Sequence, residues 1–186
     1  SKYVNISAAG IHTVLQASDY SVNSSTNRRG NDFVKVNKIY ITNYDTADAT
    51  ATVYLNGIQI SRTVNQTTGT SSKFIFDKEN VIESRDLIQV GDEVYDSNKI
   101  TLHGVVEALN PDGDNTKEIK INTSVGFTEG ETLYIQKPDF YITGSITIPA
   151  GVTFVYPAPF SFNLKEHILI IKSGTSGTQK LTVRIE

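Results

Sequence analysis

His12, His103 and His167 are the only imidazoles in the 186 residues, and none stands in the H-x-H or H-E-x-x-H spacing that would aim two ring nitrogens at one metal. Cys, Met and Trp are absent. Disulfides, thiolate nucleophiles, thiolate zinc sites, iron–sulfur clusters and thioether ligation are thereby excluded. The densest oxygen donors lie in Asn110-Pro111-Asp112-Gly113-Asp114-Asn115. Its glycine is fourth, where an EF-hand loop needs it sixth, and no bidentate Glu follows at the twelfth position, so the segment reads as a tight turn. Calcium would gain ground only if Glu107 or Glu118 folded back toward it.

Other reactive constellations are equally sparse. Gly144-Ser145 and Gly174-Thr175-Ser176-Gly177 lack the G-x-S-x-G elbow that presents a serine nucleophile, and both read as turn chemistry. No spacing singles out a carboxylate pair for glycoside hydrolysis. Arg28-Arg29-Gly30 holds the one adjacent basic pair, suited to a phosphate or an acidic partner, or simply to water. The expectation is a protein that is not an enzyme, with no catalytic residue, metal or cofactor. A net charge of -3 and a pI near 5.6 count against general nucleic-acid binding, which needs clustered Lys and Arg. The chain opens Ser1-Lys2-Tyr3-Val4 without an apolar leader, and Ile168-Leu169-Ile170-Ile171 is its longest apolar run, so no membrane association is expected. Four N-x-S/T sequons, at Asn5, Asn23, Asn65 and Asn122, matter only in a eukaryotic secretory route.

The elements that must position these residues are strands. Apolar residues recur with period two: Leu181, Val183 and Ile185 alternate with Thr182, Arg184 and Glu186, and Ala51, Val53 and Leu55 with Thr50, Thr52 and Tyr54. Ile119 and Ile121, then Leu133 and Ile135, repeat the pattern, whereas Ile168 to Ile171 suits a strand covered on both faces. No window carries helical periodicity. Strands are expected over about 11–16, 33–43, 49–60, 73–77, 87–95, 99–108, 117–123, 132–137, 140–148, 152–156, 167–173 and 179–186. Turn chemistry separates them at Asn56-Gly57, read as a type I′ hairpin, at Asn110 to Asn115, Glu129-Gly130, Pro149-Ala150-Gly151 and Ser173 to Gly177. Asp19 to Asp32, nearly free of apolar residues, reads as a long exposed loop or a partly ordered arm.

The fold class expected is all-β: an antiparallel β-sandwich, jelly-roll or Ig-like, with an inserted small β-barrel. The sandwich takes 1–80 and 138–186, and the barrel takes 81–137, inserted at a loop where chain ends lie close together.

Nine Tyr and eight Phe must be placed. Tyr40, Tyr44 and Tyr54 cluster early. Around Pro157 and Pro159 crowd Phe154, Tyr156, Phe160 and Phe162, and because the prolines withhold ladder donors this stretch is the expected protein interface: Tyr156, Pro157, Pro159, Phe160 and Phe162, with Arg28 and Arg29 as basic contacts.

Lys38-Ile39-Tyr40-Ile41-Thr42-Asn43, Ala51-Thr52-Val53-Tyr54-Leu55, Ile148-Pro149-Ala150-Gly151-Val152, Leu169-Ile170-Ile171 and Leu181 to Ile185 together resemble small β-sandwich virion proteins of tailed bacteriophages, particularly those of marine hosts. Ile88-Gln89-Val90-Gly91-Asp92-Glu93-Val94, with Val105 to Asn110, resembles small barrel modules of phage structural proteins. The resemblance implies a non-enzymatic virion component, assembled in the host cytoplasm. It would bind other virion proteins of capsid, neck or tail, as a capsid decoration or head–tail neck protein, and form a homo-oligomer. The alternative is a carbohydrate-binding β-sandwich module of a tail fibre or extracellular protein, using exposed Tyr or Phe in place of the missing Trp.

Overall fold

The structure is a computed structural model that describes residues 1–20, 32–77, 80–81 and 88–186. Among these there is no α-helix, and the chain is all-β, with antiparallel sheets of sandwich and barrel type. The described residues divide into two compact units, one of 1–20, 32–56 and Asp139–Glu186, the other of Gly57–Pro138.

The first unit is built from β1 (Lys2–Leu15), β2 (Phe33–Val36), β3 (Ile39–Asn43), β4 (Ala49–Gly57), and, after the second unit, β11 (Phe140–Tyr141), β12 (Ile146–Ile148), β13 (Thr153–Tyr156), β14 (Phe160–Asn163) and β15 (His167–Ile185). Seven of these form one sheet in the order β11-β4-β15-β3-β13, with β1 beside β15 and β12 beside β4, while β14 and β2 make a separate ribbon. Inward residues alternate as the period-two pattern requires: Ala51, Val53, Leu55, Ile39, Ile41, Leu169, Ile171, Leu181, Val183 and Ile185 share one core.

Several expectations shift in this unit. The strand foreseen at 11–16 begins at Lys2, because β1 follows β15 from Lys2↔Ile185 to Leu15↔Leu169. Ser173 to Gly177 is not a turn between two strands. β15 runs through it as a single strand, with register shifts against β1 and left-handed backbone at Gly174 (φ 52°) and Gly177 (φ 86°) absorbing the bend. Bulges of this kind let a long strand curl around a core without ending. Asn56-Gly57 is likewise not a hairpin but the end of β4. Gly57 is buried there with the backbone carbonyl of Lys137 standing where a Cβ would sit, so glycine is needed for close approach rather than for a turn.

The second unit comprises β5 (Ile60–Thr63), β6 (Thr68–Ile75), β7 (Glu93–Tyr95), β8 (Leu102–Leu109), β9 (Glu118–Phe127) and β10 (Thr132–Gln136), paired in the order β5-β10-β7-β8-β9-β6. A Val64↔Phe76 bridge joins the two ends of that order, reinforced by Asn65 N–H to the Ile75 carbonyl (2.7 Å) and Asp77 N–H to the Thr63 carbonyl (2.7 Å). The sheet therefore closes on itself around Phe74, Phe76, Val94, Val106, Ile119, Ile121, Phe127, Leu133 and Ile135. This unit starts at Gly57 and not at 81, since β5 pairs with β10 and β6 with β9. The alternation of the short segments 60–63 and 68–75 is polar enough that their barrel partners could not be read from them alone. The arm expected over 19–32 lies largely outside the described residues, of which Ala17–Tyr20 forms a 3-10 turn.

Candidate functional site

The proline-flanked aromatic stretch divides by depth. Phe162 lies in the core at 4% exposure, so it is corrected from contact residue to packing residue. Tyr156 and Phe160 are half-buried and pack on the same core, their rings edge to face at 6.2 Å, with Phe160 stacked on Phe162 at 6.2 Å. A strand buries alternate side chains, and β13 and β14 turn these aromatics inward. Pro157, Ala158 and Pro159 remain exposed, as does Val155. Among the described residues β13 pairs with β3 alone and stands at one end of the sheet order; Val155, on the face opposite Phe154 and Tyr156, is exposed, as is Val152 just before the strand. Arg28 and Arg29 lie outside the described residues.

The other end of that order holds a second group, which the sequence reading left unassembled. Outward residues of β4 (Thr50, Thr52, Tyr54, Asn56) share a face with residues of the adjacent strands β11 and β12: Tyr141 is the cross-strand partner of Tyr54, and Thr147 that of Thr50. The Tyr54 and Tyr141 rings stack at 5.3 Å with 25° between planes. Tyr54 is covered while Tyr141 stays 62% exposed. One residue pair further along, Asn56 Nδ2 donates to Asp139 Oδ1 at 2.8 Å. Burial, then the charge of Asp139 and the proximity of Tyr141, push the Tyr54 hydroxyl above the ordinary tyrosine pKa and keep it a donor. Tyr54 was visible in the sequence, but its pairing with a residue 87 positions later is set by topology, and no local signal announces it.

The Asn110 to Asn115 segment is a turn, as expected, with Asn110 in left-handed backbone (φ 50°) and its Oδ1 accepting from Asn115 N–H at 3.1 Å. Glu118 does return toward it: carboxylate oxygens of Asp112, Asp114 and Glu118 lie within 4.8 Å of one another. Lys73 Nζ already reaches Asp112 at 2.5 Å and offsets part of the negative charge. Burial, with Asp112 close by, pushes the Glu118 carboxyl above its usual range, while Lys73 opposes that.

The histidines sit in separate settings. His12 contacts the Ala8 carbonyl at 2.8 Å, His103 packs edge-on against Phe127 at 5.9 Å, and His167 begins β15.

The residues behind the phage resemblance hold turns. Asn43, fully buried, donates through Nδ2 to the carbonyls of Ala47 and Ile148 (2.9 Å each) and accepts at Oδ1 from Asp45 N–H (2.9 Å). Gly151 N–H returns to the Asn43 carbonyl at 2.9 Å, and Gly151 takes φ 74° inside the Pro149–Val152 turn. The two quoted segments 38–43 and 148–152 thus meet at one amide. In the barrel, Gly91 (φ 96°) makes the turn in which Asp92 N–H reaches the Gln89 carbonyl at 3.1 Å. The buried Asp92 carboxylate accepts from Lys137 Nζ (2.7 Å) and from Gln89 N–H (3.0 Å). No protein-family model, curated protein or solved structure matches the chain.

Proposed function

We propose that this protein is a non-enzymatic structural component of a tailed-phage virion, held to other virion proteins or to further copies of itself through the open β13 edge of its sandwich unit. The observation that carries this reading is the composition of that edge. Val152 (44% exposed) and Val155 (41% exposed) flank a four-residue strand that ends in exposed Pro157, Ala158 and Pro159. An open ladder with apolar side chains is a template for another chain, and the prolines limit how far a strand can be added. Tyr156 and Phe160 stiffen the edge from behind, where the sequence reading had them touching the partner. The phage assignment itself rests on the resemblance of segments 38–43, 51–55, 148–152, 169–171 and 181–185, and of 88–94 with 105–110 in the barrel.

Native mass spectrometry of the purified chain, with proteomics of intact particles from the phage that encodes it, tests this reading. Discrete oligomers that Val155→Lys dissociates, and recovery of the chain in particles, are expected. A chain that stays monomeric at every concentration and is missing from particles overturns it.

A further inference from the structure

We infer that Lys137 and Gln89 of the barrel unit join covalently after folding, in an intrachain isopeptide bond made beside the buried carboxylate of Asp92. This goes beyond the assembly role proposed above and does not depend on it. Strand alternation places the reacting groups. Leu133 and Ile135 of β10 and Val94 of β7 point into the barrel core, and Gln136 is the cross-strand partner of Glu93. One position further along each strand, where the next inward side chains fall, stand Lys137 and Asp92. Two apolar rows thus end in an amine and a carboxylate, with side-chain exposure of 14% and 1%. Lys137 Nζ reaches Asp92 Oδ1 at 2.7 Å and Gln89 Oε1 at 2.5 Å. Since a carbonyl bond is about 1.2 Å long, the Gln89 amide carbon lies within about 3.7 Å of Nζ, near the roughly 3–3.5 Å of an attack geometry.

The three groups are also held on one another. Gln89 N–H donates to Asp92 Oδ2 (3.0 Å), and the Gln89 carbonyl accepts from Asp92 N–H (3.1 Å), so amide and carboxylate share one turn. The Lys137 backbone is seated where Gly57 has no Cβ. Holding reactants in place in this way supplies much of what an intramolecular reaction needs. The step balances within the chain. Nζ passes a proton to Asp92 Oδ1, which gives a neutral amine and removes both charges of a costly buried pair. The Nζ lone pair then forms a bond to the Gln89 amide carbon, and the carbonyl electron pair moves onto Oε1. Asp92 gives its proton to Nε2 and takes a second one from Nζ. As the carbonyl re-forms, the bond from carbon to Nε2 breaks and ammonia leaves, carrying off the proton that Asp92 still holds. A side-chain amide and an ammonium become a secondary amide and an ammonium ion, with no oxidant, reductant or further reactant. Asp92 touches the reacting nitrogen and is the catalytic residue of this step.

The test is the intact mass of the full chain, followed over time at neutral pH. The chain should become lighter than its sequence mass by one ammonia, and fragmentation of a digest should show a branched peptide joining Gln89 to Lys137. Gln89→Ala and Lys137→Arg should each keep their own full sequence mass. Asp92→Asn preserves the side-chain shape without the base and should slow the loss of ammonia at least about tenfold. Amide hydrogen exchange over 118–127 and 132–136 confirms that each variant keeps the barrel. A parent chain that stays at full mass, one lighter by a water through a bond at Asp92, or one that loses ammonia without the branched peptide overturns the isopeptide bond. Loss of ammonia at the parent rate in a folded Asp92→Asn variant overturns the role given to Asp92. Val155→Lys, in the sandwich unit, should leave the mass change intact, which separates this result from the assembly reading.

Discussion

The sandwich and the barrel treat their sheet edges in opposite ways. The barrel order β5 to β6 is joined end to end by the Val64↔Phe76 bridge, whereas among the described residues the seven-stranded sheet ends at β11 and β13 without a further strand. Exposed large apolar side chains follow the same division. Among the described residues Tyr3, Ile11, Tyr20, Phe33, Tyr44, Phe140, Tyr141, Val152 and Val155 belong to the sandwich, and only the aliphatic Val90, Ile100 and Leu102 to the barrel. Closure leaves a sheet no backbone groups to offer a partner, while open ends retain them. The sandwich edge named in the proposed function thus belongs to the unit with open sheet ends, and the barrel is the closed one.

The sharpest way to break this comparison is to remove the barrel. Leu55 and Phe140 are cross-strand partners, and Asn56 bonds to Asp139, so the two cut ends already lie side by side within the sandwich. Replacing 57–138 with a two-residue Asn-Gly loop should turn β4 and β11 into a type I′ hairpin and leave a folded domain. A cooperative thermal transition and native-like amide protection over β1 and β15 are expected. A chain without cooperative melting would show that the sandwich cannot stand without its insert.

Each unit also has a buried polar clamp, Asp92 in the barrel and Asn43 in the sandwich, and the two should fail separately. Asp92→Ala strips the carboxylate from Lys137 Nζ, whose side chain is 14% exposed, and leaves a nearly buried ammonium. Removing one partner of such a pair costs about 3–5 kcal/mol, and the loss should appear by hydrogen exchange in the barrel strands with the sandwich unaltered. Asn43→Ala deletes three hydrogen bonds at a fully buried site and leaves the Ile148 carbonyl without its side-chain donor. A loss of about 2–4 kcal/mol follows from the unmade bonds, confined to the sandwich. Exchange rates rising in both units from either variant would mean that they unfold as one.

What could be read in advance depended on whether the governing contact was local. Period two fixed the inward faces of 51–55, 119–121, 133–135 and 181–185, since alternation is a property of consecutive residues. Glycine was harder, because one residue type serves two purposes. At Gly151 it provides the positive φ that a turn requires, at Gly57 it makes room for the Lys137 backbone, and only the partner strand distinguishes these. The aromatics divided similarly. Tyr156 and Phe160 drew attention by crowding in the sequence and turned out to pack inward, while the Tyr54–Tyr141 stack was invisible because an entire unit separates the two residues. Motif resemblance at 88–94 and 148–152 recorded turn construction, which Asp92 and Asn43 explain without reference to any partner.

The smallest expected effect lies in the barrel's acidic loop. Burial and Asp112 raise the Glu118 carboxyl pKa above its unfolded value, so the folded state holds that proton more tightly than the unfolded chain does. Protonation at this position therefore favours folding, and the contribution is complete below the unfolded pKa and disappears as pH rises through the folded one. At neutral pH the ionised carboxylate works against the barrel. Glu118→Gln, which mimics the neutral form, should slow barrel amide exchange slightly at neutral pH, and the advantage should shrink as pH falls through the raised folded pKa and be gone below the unfolded one. Partial solvent exposure and Lys73 both limit the size of the gain, which should be well under that of the Asn43 substitution. A gain that persists unchanged into acid would assign the effect to shape or hydrogen bonding at Glu118 and remove electrostatic repulsion in the Asp112, Asp114 and Glu118 cluster as its cause.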